Sequence, residues 1–374
     1  MSQGRCALLA ALALLCQPTQ AAGLFDPEDG MLDMSETLRD SPYGFLPIPL
    51  LITEPAVGYG GGLFGLFLHG KGSQQGDRFI PPAMTAVGGG GTENGTWFVG
   101  AAHRHTWDND RIRYLVGAGY ADINMDIYSG DVAGFRGNRA VSTTTRGVGG
   151  LQKLQFRLAD TPLFVGVSQV WTRVDVSAEN PLINRLWQRL LGEQSTTSGV
   201  GVLATWDTTN NLFWPTRGVD VSAEYRMYGS LLGGDYRYDT LTVDGKTFLP
   251  LSPTLTLALA ADYQSLTHAD PHLTPMARPY IELRGIPRFR WQGDYVSTLQ
   301  TQLSWQAAPR WIVQGFAGTG SAADSAGDLF SNNKVAWGSG FRYLIARDYG
   351  LHTGIDIAFS GGDRALYFNV GSGL

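Results

Sequence analysis

Cysteine is almost absent from the 374-residue chain. Its two cysteines, Cys6 and Cys16, both lie within the first 22 residues. That stretch has the form of a removable export signal, so the remainder contains no cysteine at all. Disulfide bonds and thiolate metal sites are therefore excluded from the remainder.

Long apolar runs are also absent. The longest, Ala7–Cys16, follows Arg5 and precedes a short Gln-Pro-Thr-Gln-Ala-Ala segment. A membrane helix needs about 20 apolar residues, so this run is too short to span a bilayer. The pattern instead predicts a secretory signal peptide over residues 1–22, cleaved after Ala21 or Ala22.

Charge is sparse, at 16% of residues with a formal net charge of −5, and this balance gives no indication of nucleic-acid binding. Glycine, in contrast, is abundant at 49 residues and recurs inside apparent strands. Interior glycine weakens a water-soluble sheet. A closed barrel tolerates it, because curvature and close crossing of side chains require it.

Alternation of apolar and polar residues marks sixteen segments between Phe45 and Leu374. In the ninth, Val219, Val221 and Ala223 fall on one face, opposite charged and polar residues. A period of two fits a soluble sandwich as well as a barrel. Four features favour a barrel: an even strand count, charges on the polar face, tryptophans toward strand ends, and a chain that ends inside its last strand, Ala365–Leu374.

We therefore predict an all-β fold, a 16-stranded antiparallel transmembrane β-barrel over residues 45–374, in the outer membrane of a Gram-negative bacterium. Residues 23–44 form a short periplasmic leader, either a turn or two of helix near the barrel mouth or a mobile tail. A long loop, Ala178–Thr197, contains Leu182–Leu191, with an apolar helical face opposite Arg185 and Arg189. It fits a helix at the membrane surface or a cap on the barrel rim.

The polar stretch Met276–Asp294 separates the eleventh and twelfth strands. It contains a single glutamate, Glu282, and four arginines: Arg278, Arg284, Arg288 and Arg290. Long loops between well-patterned strands are usually functional or disordered.

Two motifs carry more information than alternation. The first is the turn from Asp207 to Gly218, which includes Pro215 and Thr216. The second is Leu283-Arg284-Gly285-Ile286, followed by Gly293-Asp294. Both resemble signature segments of the BamA/TamA-type outer-membrane superfamily, also called bacterial surface antigens, and Tyr367–Gly371 resembles the last strand of that family.

The resemblance implies a sixth extracellular loop that folds back into the barrel, with Arg284 bound to polar groups on the inner wall. A guanidinium suits this role because it presents five donors in a fixed fork. The family's acidic partners are replaced here by Gln302 and Gly318. The candidate partners of Arg284 are therefore Gln302 or another acid: Glu224, Asp262 or Asp356. Arg284 either pins the loop as a plug or acts in insertion.

The family's assembly factors carry periplasmic repeat domains, for which the 23–44 leader is too short, so a barrel-only member is expected. Pro47 and Pro49 in the first strand remove hydrogen-bond donors. The seam between the first and last strands should therefore be weakly paired. In the family such a seam is thought to open and to pair with client strands.

An enzymatic barrel, such as a lipid-modifying enzyme, is a rival interpretation. No Gly-x-Ser-x-Gly motif is present. His103 and His105 share a face, as a metal or base site would require, but such pairs are usually ordinary polar residues of the inner wall. Asp324 and Asp328 could bind calcium loosely or belong to a flexible loop. We expect no catalytic residue, metal or cofactor.

The expected role is outer-membrane biogenesis, by protein insertion or lipid handling. A passive or gated porin-like channel is the alternative, although an inward loop argues for a plugged lumen. The expected partners are outer-membrane lipid and lipopolysaccharide, with unfolded outer-membrane proteins or a separate periplasmic protein as further candidates.

Overall fold

The computed structural model describes residues 24–40, 44–53, 57–128, 140–181, 184–185, 194–270, 273 and 277–374. They include the α-helix α1 (Ser35–Asp40), helical residues at positions 181 and 184–185, and the 3₁₀ turns Ser230–Leu232, Ala326–Asp328 and Arg347–Tyr349. The strands are β1 (Gly44–Ile52), β2 (Gly60–His69), β3 (Ser73–Gln75), β4 (Arg78–Ile80), β5 (Ala83–Thr92), β6 (Trp97–Trp107), β7 (Ile112–Tyr128), β8 (Ala140–Arg157), β9 (Leu163–Ala178), β10 (Ser195–Asp207), β11 (Gly218–Tyr228), β12 (Tyr238–Ser252), β13 (Leu255–Thr267), β14 (Tyr295–Ala308), β15 (Trp311–Ala323), β16 (Asn333–Ala346), β17 (Leu351–Ser360) and β18 (Asp363–Val370).

All strands except β3 and β4 belong to one sheet of sixteen strands, in which each pairs antiparallel with the next along the chain. The predicted all-β architecture and strand count are confirmed. Large apolar side chains alternate outward along the strands, as Leu63, Val99, Val202 and Leu299 show, each more than half exposed. No other part of the protein covers these apolar side chains, so the outer face is suited to contact with the hydrocarbon core of a membrane.

The seam between β1 and β18 is the place where the barrel nearly closes. Among the described residues, no hydrogen-bonded ladder joins these two strands. They meet through Thr53, whose Oγ1 donates to the Leu366 carbonyl oxygen at 2.7 Å and accepts from the Leu366 N–H at 2.6 Å. Pro47 and Pro49 face Gly65 and Leu63 of β2 within β1. The two prolines remove backbone hydrogen-bond donors from β1.

The long loops lie at one end of the barrel and the short turns at the other, which is the periplasmic end in barrels of this kind. Strand β18 ends at this end, at Val370, and not at Leu374 as the sequence indicated. The last residues leave the sheet and enter the barrel, where Gln302 Nε2 donates to the Ser372 carbonyl oxygen at 3.1 Å and Lys246 Nζ donates to Leu374 O at 2.7 Å. Polar inner-wall side chains capture this segment and prevent it from extending the strand.

Two segments cover the periplasmic mouth. Residues 24–40 dock there, with Leu38 of α1 buried against Leu46, Leu68 and Leu351 on the inner wall. Of the two interpretations of the leader, a short helix near the barrel mouth therefore fits residues 35–40. The β3–β4 hairpin, which the sequence did not reveal, crosses to the β10–β11 turn, where Phe79 N donates to the Asn210 carbonyl oxygen at 2.8 Å.

His103 and His105 do not face the inner wall, contrary to the sequence interpretation. They lie on the same face of β6 as the exposed side chains of Val99 and Trp107, and His105 stacks on Trp107 with ring centroids 4.3 Å apart. Strand periodicity relates the residues to each other but does not show which face is inside.

The helix predicted for Leu182–Leu191 lies outside the described residues except at positions 184–185. Within the described ranges, no helix combines the length and apolar character that crossing a bilayer requires.

Candidate functional site: a buried arginine–aspartate centre

The loop between β13 and β14 is described at residues 268–270 and 273 and continuously from residue 277. It turns sharply at the Leu283–Ile286 motif, where Ile286 N donates to the Leu283 carbonyl oxygen at 3.0 Å. Gly285 has φ +95, a conformation that side-chain-bearing residues rarely adopt. Its N–H donates to the Tyr367 hydroxyl at 3.0 Å. A glycine at this position lets the loop backbone lie directly on the wall formed by β17 and β18.

Apolar side chains on either side of the motif anchor the loop. Ile281, Leu283 and Ile286 are buried with Val296 of β14 and Ala336 of β16. Room for them is provided by glycines of β15: a Cβ on Gly318 would lie 3.2 Å from Leu283 Cδ2, and one on Gly320 would lie 2.6 Å from Ile281 Cγ2. The position that carries an acid in the resembling family therefore serves here as space for the loop.

Arg284 lies between these apolar side chains and reaches the inner wall. Its Nη1 donates to Asp356 Oδ2 at 2.8 Å and its Nη2 to Gln302 Oε1 at 2.9 Å. Its guanidinium carbon lies 3.5 Å from the centroid of the Phe316 ring, close enough for a cation–π interaction. Two of the four candidate partners therefore lie beside Arg284.

The other two candidates lie elsewhere on the wall. Glu224 accepts hydrogen bonds from Ser168 and Arg226, and Asp262 accepts one from Gln264 at 2.9 Å. Neither forms a hydrogen bond or ion pair with Arg284 among the described residues.

Asp356 is the hub of the centre and is fully buried. Besides Arg284, it binds both terminal nitrogens of Arg342, at 2.7 and 2.9 Å. It also accepts from Gln314 Nε2 at 3.0 Å and from Asn369 Nδ2 at 2.8 Å. Five donors saturate the carboxylate, which is the condition under which a buried charge is tolerated.

Arg342 could not be singled out from sequence. It is fully buried, and its Nε donates to the Gly371 carbonyl oxygen at 3.0 Å, which ties β16 to the end of the chain. A Cβ at Gly340 would overlap Asp356 Oδ1. The alternating glycines of β16 could have suggested a bulky neighbour on this wall, but an arginine on a polar inner face is ordinary. The centre holds two guanidinium groups and one carboxylate, so it retains one excess positive charge.

The second motif forms the β10–β11 turn. Asp207 Oδ1 accepts from Thr209 N at 3.0 Å, and Thr216 N donates to Asn210 Oδ1 at 3.0 Å. Gly218 has φ +104, and a Cβ there would overlap the carbonyl of Thr208. Pro215 precedes Thr216 within the turn. The motif residues thus shape a turn at the periplasmic mouth, away from the arginine–aspartate centre.

Asp207 has a second set of contacts, since Arg78 of the β3–β4 hairpin donates to Asp207 Oδ2 at 2.5 Å. Arg113 of β7 approaches the same oxygen at 3.0 Å. The motif therefore also anchors the hairpin across the mouth.

The docked residues 24–40 are held by Arg310 in the β14–β15 turn. Its fully buried guanidinium donates to Asp26 at 2.6 Å, Asp29 at 2.5 Å and Asp33 at 2.9 Å. The hydrogen bond from Arg310 lowers the pKa of Asp29 below the ordinary 3.8. Burial raises the pKa of Asp33, but hydrogen bonds from Ser35 and Arg310 outweigh burial, and the net shift is downward. Both carboxylates are therefore charged at neutral pH.

The remaining predicted sites show ordinary contacts. Asp324 accepts from Arg278 at 2.9 Å, and Asp328 accepts from the Ser325 hydroxyl at 3.0 Å. Within the described ranges, no three histidine, cysteine, aspartate or glutamate side chains are grouped as a metal site would require. The chemistry of the arginine–aspartate centre is that of a saturated ionic clamp.

Residues 121–278 match the model of the Omp85 superfamily domain. Over these residues the chain is similar to the Omp85 superfamily domain. Its sixteen-stranded sheet, its loop anchored by a Leu-Arg-Gly-Ile motif and its periplasmic Pro-Thr-x-Gly turn are consistent with this match. An Omp85 barrel of this kind resides in the outer membrane.

Solved structures support the same fold at low identity. BamA from Haemophilus ducreyi lacking POTRA domains 1-3 is 10% identical, with a TM-score of 0.55, over 87% of this chain and 69% of that chain. CdiB from Acinetobacter baumannii is 11% identical, with a TM-score of 0.54, over 88% of this chain and 59% of that one. CdiB from Escherichia coli is 12% identical, with a TM-score of 0.56, over 92% and 69%. A comparison with curated proteins finds no match.

Proposed function

We propose that this Omp85 superfamily barrel acts in outer-membrane biogenesis, by inserting proteins or handling lipid at the β1–β18 seam. The observation that supports this proposal is the seam itself. Among the described residues, Thr53 and Leu366 provide the hydrogen bonds across it, where a closed barrel would have a ladder. Unpaired strand edges accept other strands readily, and a gap in the wall admits lipid.

Contacts on the inner face of the barrel are consistent with a seam that can open. Leu38 of α1 packs in one apolar cluster with Leu46 of β1, Leu66 of β2 and Leu351 of β17, and Val370 of β18 packs against it. The two sides of the seam are thus held together from within by a removable segment. On the β18 side of the seam, the ionic clamp at Asp356 joins the loop to β14, β15, β16, β17 and β18, so these strands move as one unit when the seam opens. We propose a role in assembly and not in catalysis.

A disulfide across the seam tests the proposal. The chain after residue 22 lacks cysteine, so Thr53→Cys with Leu366→Cys introduces a single bridge. If seam opening is required, the oxidised variant should lose function and regain it on reduction. The matched control is Thr301→Cys with Ala317→Cys, which bridges two directly paired residues of β14 and β15.

Function is measured in a deletion strain complemented with each variant, as the abundance of outer-membrane barrel proteins and the amount of phospholipid in the outer leaflet. Loss of barrel proteins would assign the role to protein insertion. A change in leaflet phospholipid with normal barrel-protein levels would assign it to lipid handling. Full complementation by the oxidised seam variant would reject the proposal.

A further inference from the structure

The inner wall of β2 to β9 carries an apolar groove, in contrast to the polar wall of β14 to β18. Its cavity volume is about 460 Å³, within the range of about 300–1,000 Å³ typical of small-molecule sites. The lining residues that matter here are Phe64, Ala86, Ala102, Gly119, Leu151 and Val170. We call this the inner groove.

Apolar lining is unexpected on the inner face of an outer-membrane barrel, which is ordinarily polar. Leu151 lies on the same face of β8 as Lys153 and the buried Gln155, yet it is 45% exposed. The neighbouring positions are glycine or alanine, which leaves concave space over Leu151 where larger side chains would fill it. An exposed apolar surface in a concave site indicates an apolar ligand.

A cluster of arginines adjoins the periplasmic end of the groove. Arg104 lies two residues after Ala102 and on the same face of β6. Near it, Arg113 binds Asp110 through Nε at 2.7 Å and through Nη2 at 2.6 Å. Arg157 Nη2 also donates to Asp110, at 3.1 Å. Arg104 therefore follows the groove along the inner face of β6, with the other arginines of the cluster near it.

The cluster has more cations than anions. Arg78, Arg113 and Arg157 share two carboxylates, Asp110 and Asp207, and Arg104 adds a fourth positive charge beside them. Asp220 of β11 lies in register with Lys246 of β12, whose Nζ donates to Leu374 O. Within the group of four arginines and two carboxylates, Asp110 and Asp207, positive charges exceed negative charges by two.

Arg104 is the member without a partner. Its Nη1 is buried and has no hydrogen-bond partner among the residues that the structure describes. The described contacts of the cluster give Arg104 no ion pair either. A buried guanidinium donor without a partner is costly, and an anion placed against it would remove that cost.

We propose that the inner groove and the arginine cluster bind an anionic phospholipid, with its phosphate at Arg104 and an acyl chain along the groove toward Phe64. The arrangement matches the orientation of a lipid in the periplasmic leaflet, because the arginines lie at the periplasmic end and the groove extends toward the membrane centre. Phe64 and Ala86 are on β2 and β5, the two strands next to β1, so a lipid entering through the seam meets the groove first.

This inference deepens the lipid-handling branch of the proposed function. Its test does not require an active protein, because it reads only where a lipid sits. If the seam proves necessary for function but no lipid is found in the groove, only the lipid-binding proposal fails. If lipid is found in the groove but the seam is not necessary, only the proposed function fails.

The probe is phosphatidylglycerol with a diazirine in the middle of one acyl chain. The full-length protein is reconstituted with it in nanodiscs, irradiated and mapped by peptide mass spectrometry. Labelling is expected at inward residues such as Phe64, Leu151 and Val170. Labelling confined to outward residues such as Leu63 and Val99 would overturn the proposal, as would equal inward labelling by the zwitterionic phosphatidylcholine analogue.

Two variants test the phosphate contact and the acyl-chain groove separately. Arg104→Gln should reduce inward labelling about tenfold, the loss expected for one charge-assisted hydrogen bond. Ala102→Leu should reduce it similarly by filling the groove. The matched controls are Arg146→Gln, which removes an exposed charge, and Ala223→Leu, which adds the same side chain on the exposed outer face of β11, away from the groove. Both controls should label like the wild type.

Folding is checked by heat-modifiable gel migration. If Arg104→Gln does not fold, the Ala102→Leu and Ala223→Leu pair and the choice between the two lipids still decide the outcome. Soluble glycerol phosphate is added as a competitor. Full displacement by it at millimolar concentration would overturn the lipid assignment and identify a site for a free phosphate ester.

Discussion

Replacing Asp356 by asparagine removes one charge from the centre of the barrel at nearly constant volume. The carboxylate is fully buried and accepts hydrogen bonds from Arg284, Arg342, Gln314 and Asn369. The amide that replaces one carboxylate oxygen is itself a donor, so at least one guanidinium loses its acceptor. Breaking a buried ion pair by removing one partner costs about 3–5 kcal/mol. We expect the free energy of unfolding to fall by about that amount.

Urea unfolding in lipid vesicles, followed by tryptophan fluorescence, measures this change. Glu282→Gln is the matched control, because it breaks an exposed ion pair with Arg288, 3.3 Å long, in the same loop. Exposed pairs contribute about 0–1 kcal/mol. If Asp356→Asn costs no more than this control, the carboxylate is not the hub of the centre. Adding Arg342→Gln to Asp356→Asn should cost less than the sum of the two single changes, because both ends of one pair are then removed.

Three further outcomes are expected. The pKa values of Asp29 and Asp33 are lowered, so docking of residues 24–40 should be constant from neutral pH to about the ordinary value of 3.8 and be lost as pH falls through the lowered values. The anisotropy of a fluorophore on a cysteine introduced into α1 reports this, and loss near neutral pH would contradict it. Arg284→Ala should raise single-channel conductance in planar bilayers by freeing the loop, whereas unchanged conductance would show that the apolar contacts suffice. Gly340→Ala should destabilise the barrel to urea by about 1–3 kcal/mol, since its methyl group overlaps Asp356 Oδ1, and a neutral result would mean that β16 shifts at little cost.

The fold was predictable because the residues of each strand alternate between apolar and polar according to the face on which they lie. A residue such as Val221 faces outward and its neighbour Ser222 faces inward, and that period of two is visible without knowing any partner. The β3–β4 hairpin escaped detection because its strands have three residues each and are therefore too short to show a period. The end of β18 was misplaced because the capture of Ser372 by Gln302 depends on a strand about seventy positions away.

The sequence by itself determined the sixteen-strand alternation, the positions of the two motifs and a short set of candidate partners for Arg284. Only the tertiary structure decided which partners meet, because the register of β13 to β18 places Gln302, Asp356 and Arg342 on one patch and leaves Glu224 and Asp262 on others. It also decided which face of each strand is inside, since an alternating pattern is the same for either face. The arginine cluster at the periplasmic mouth has the same origin: its members come from β4, β6, β7 and β8, and their excess charge exists only once those strands are side by side.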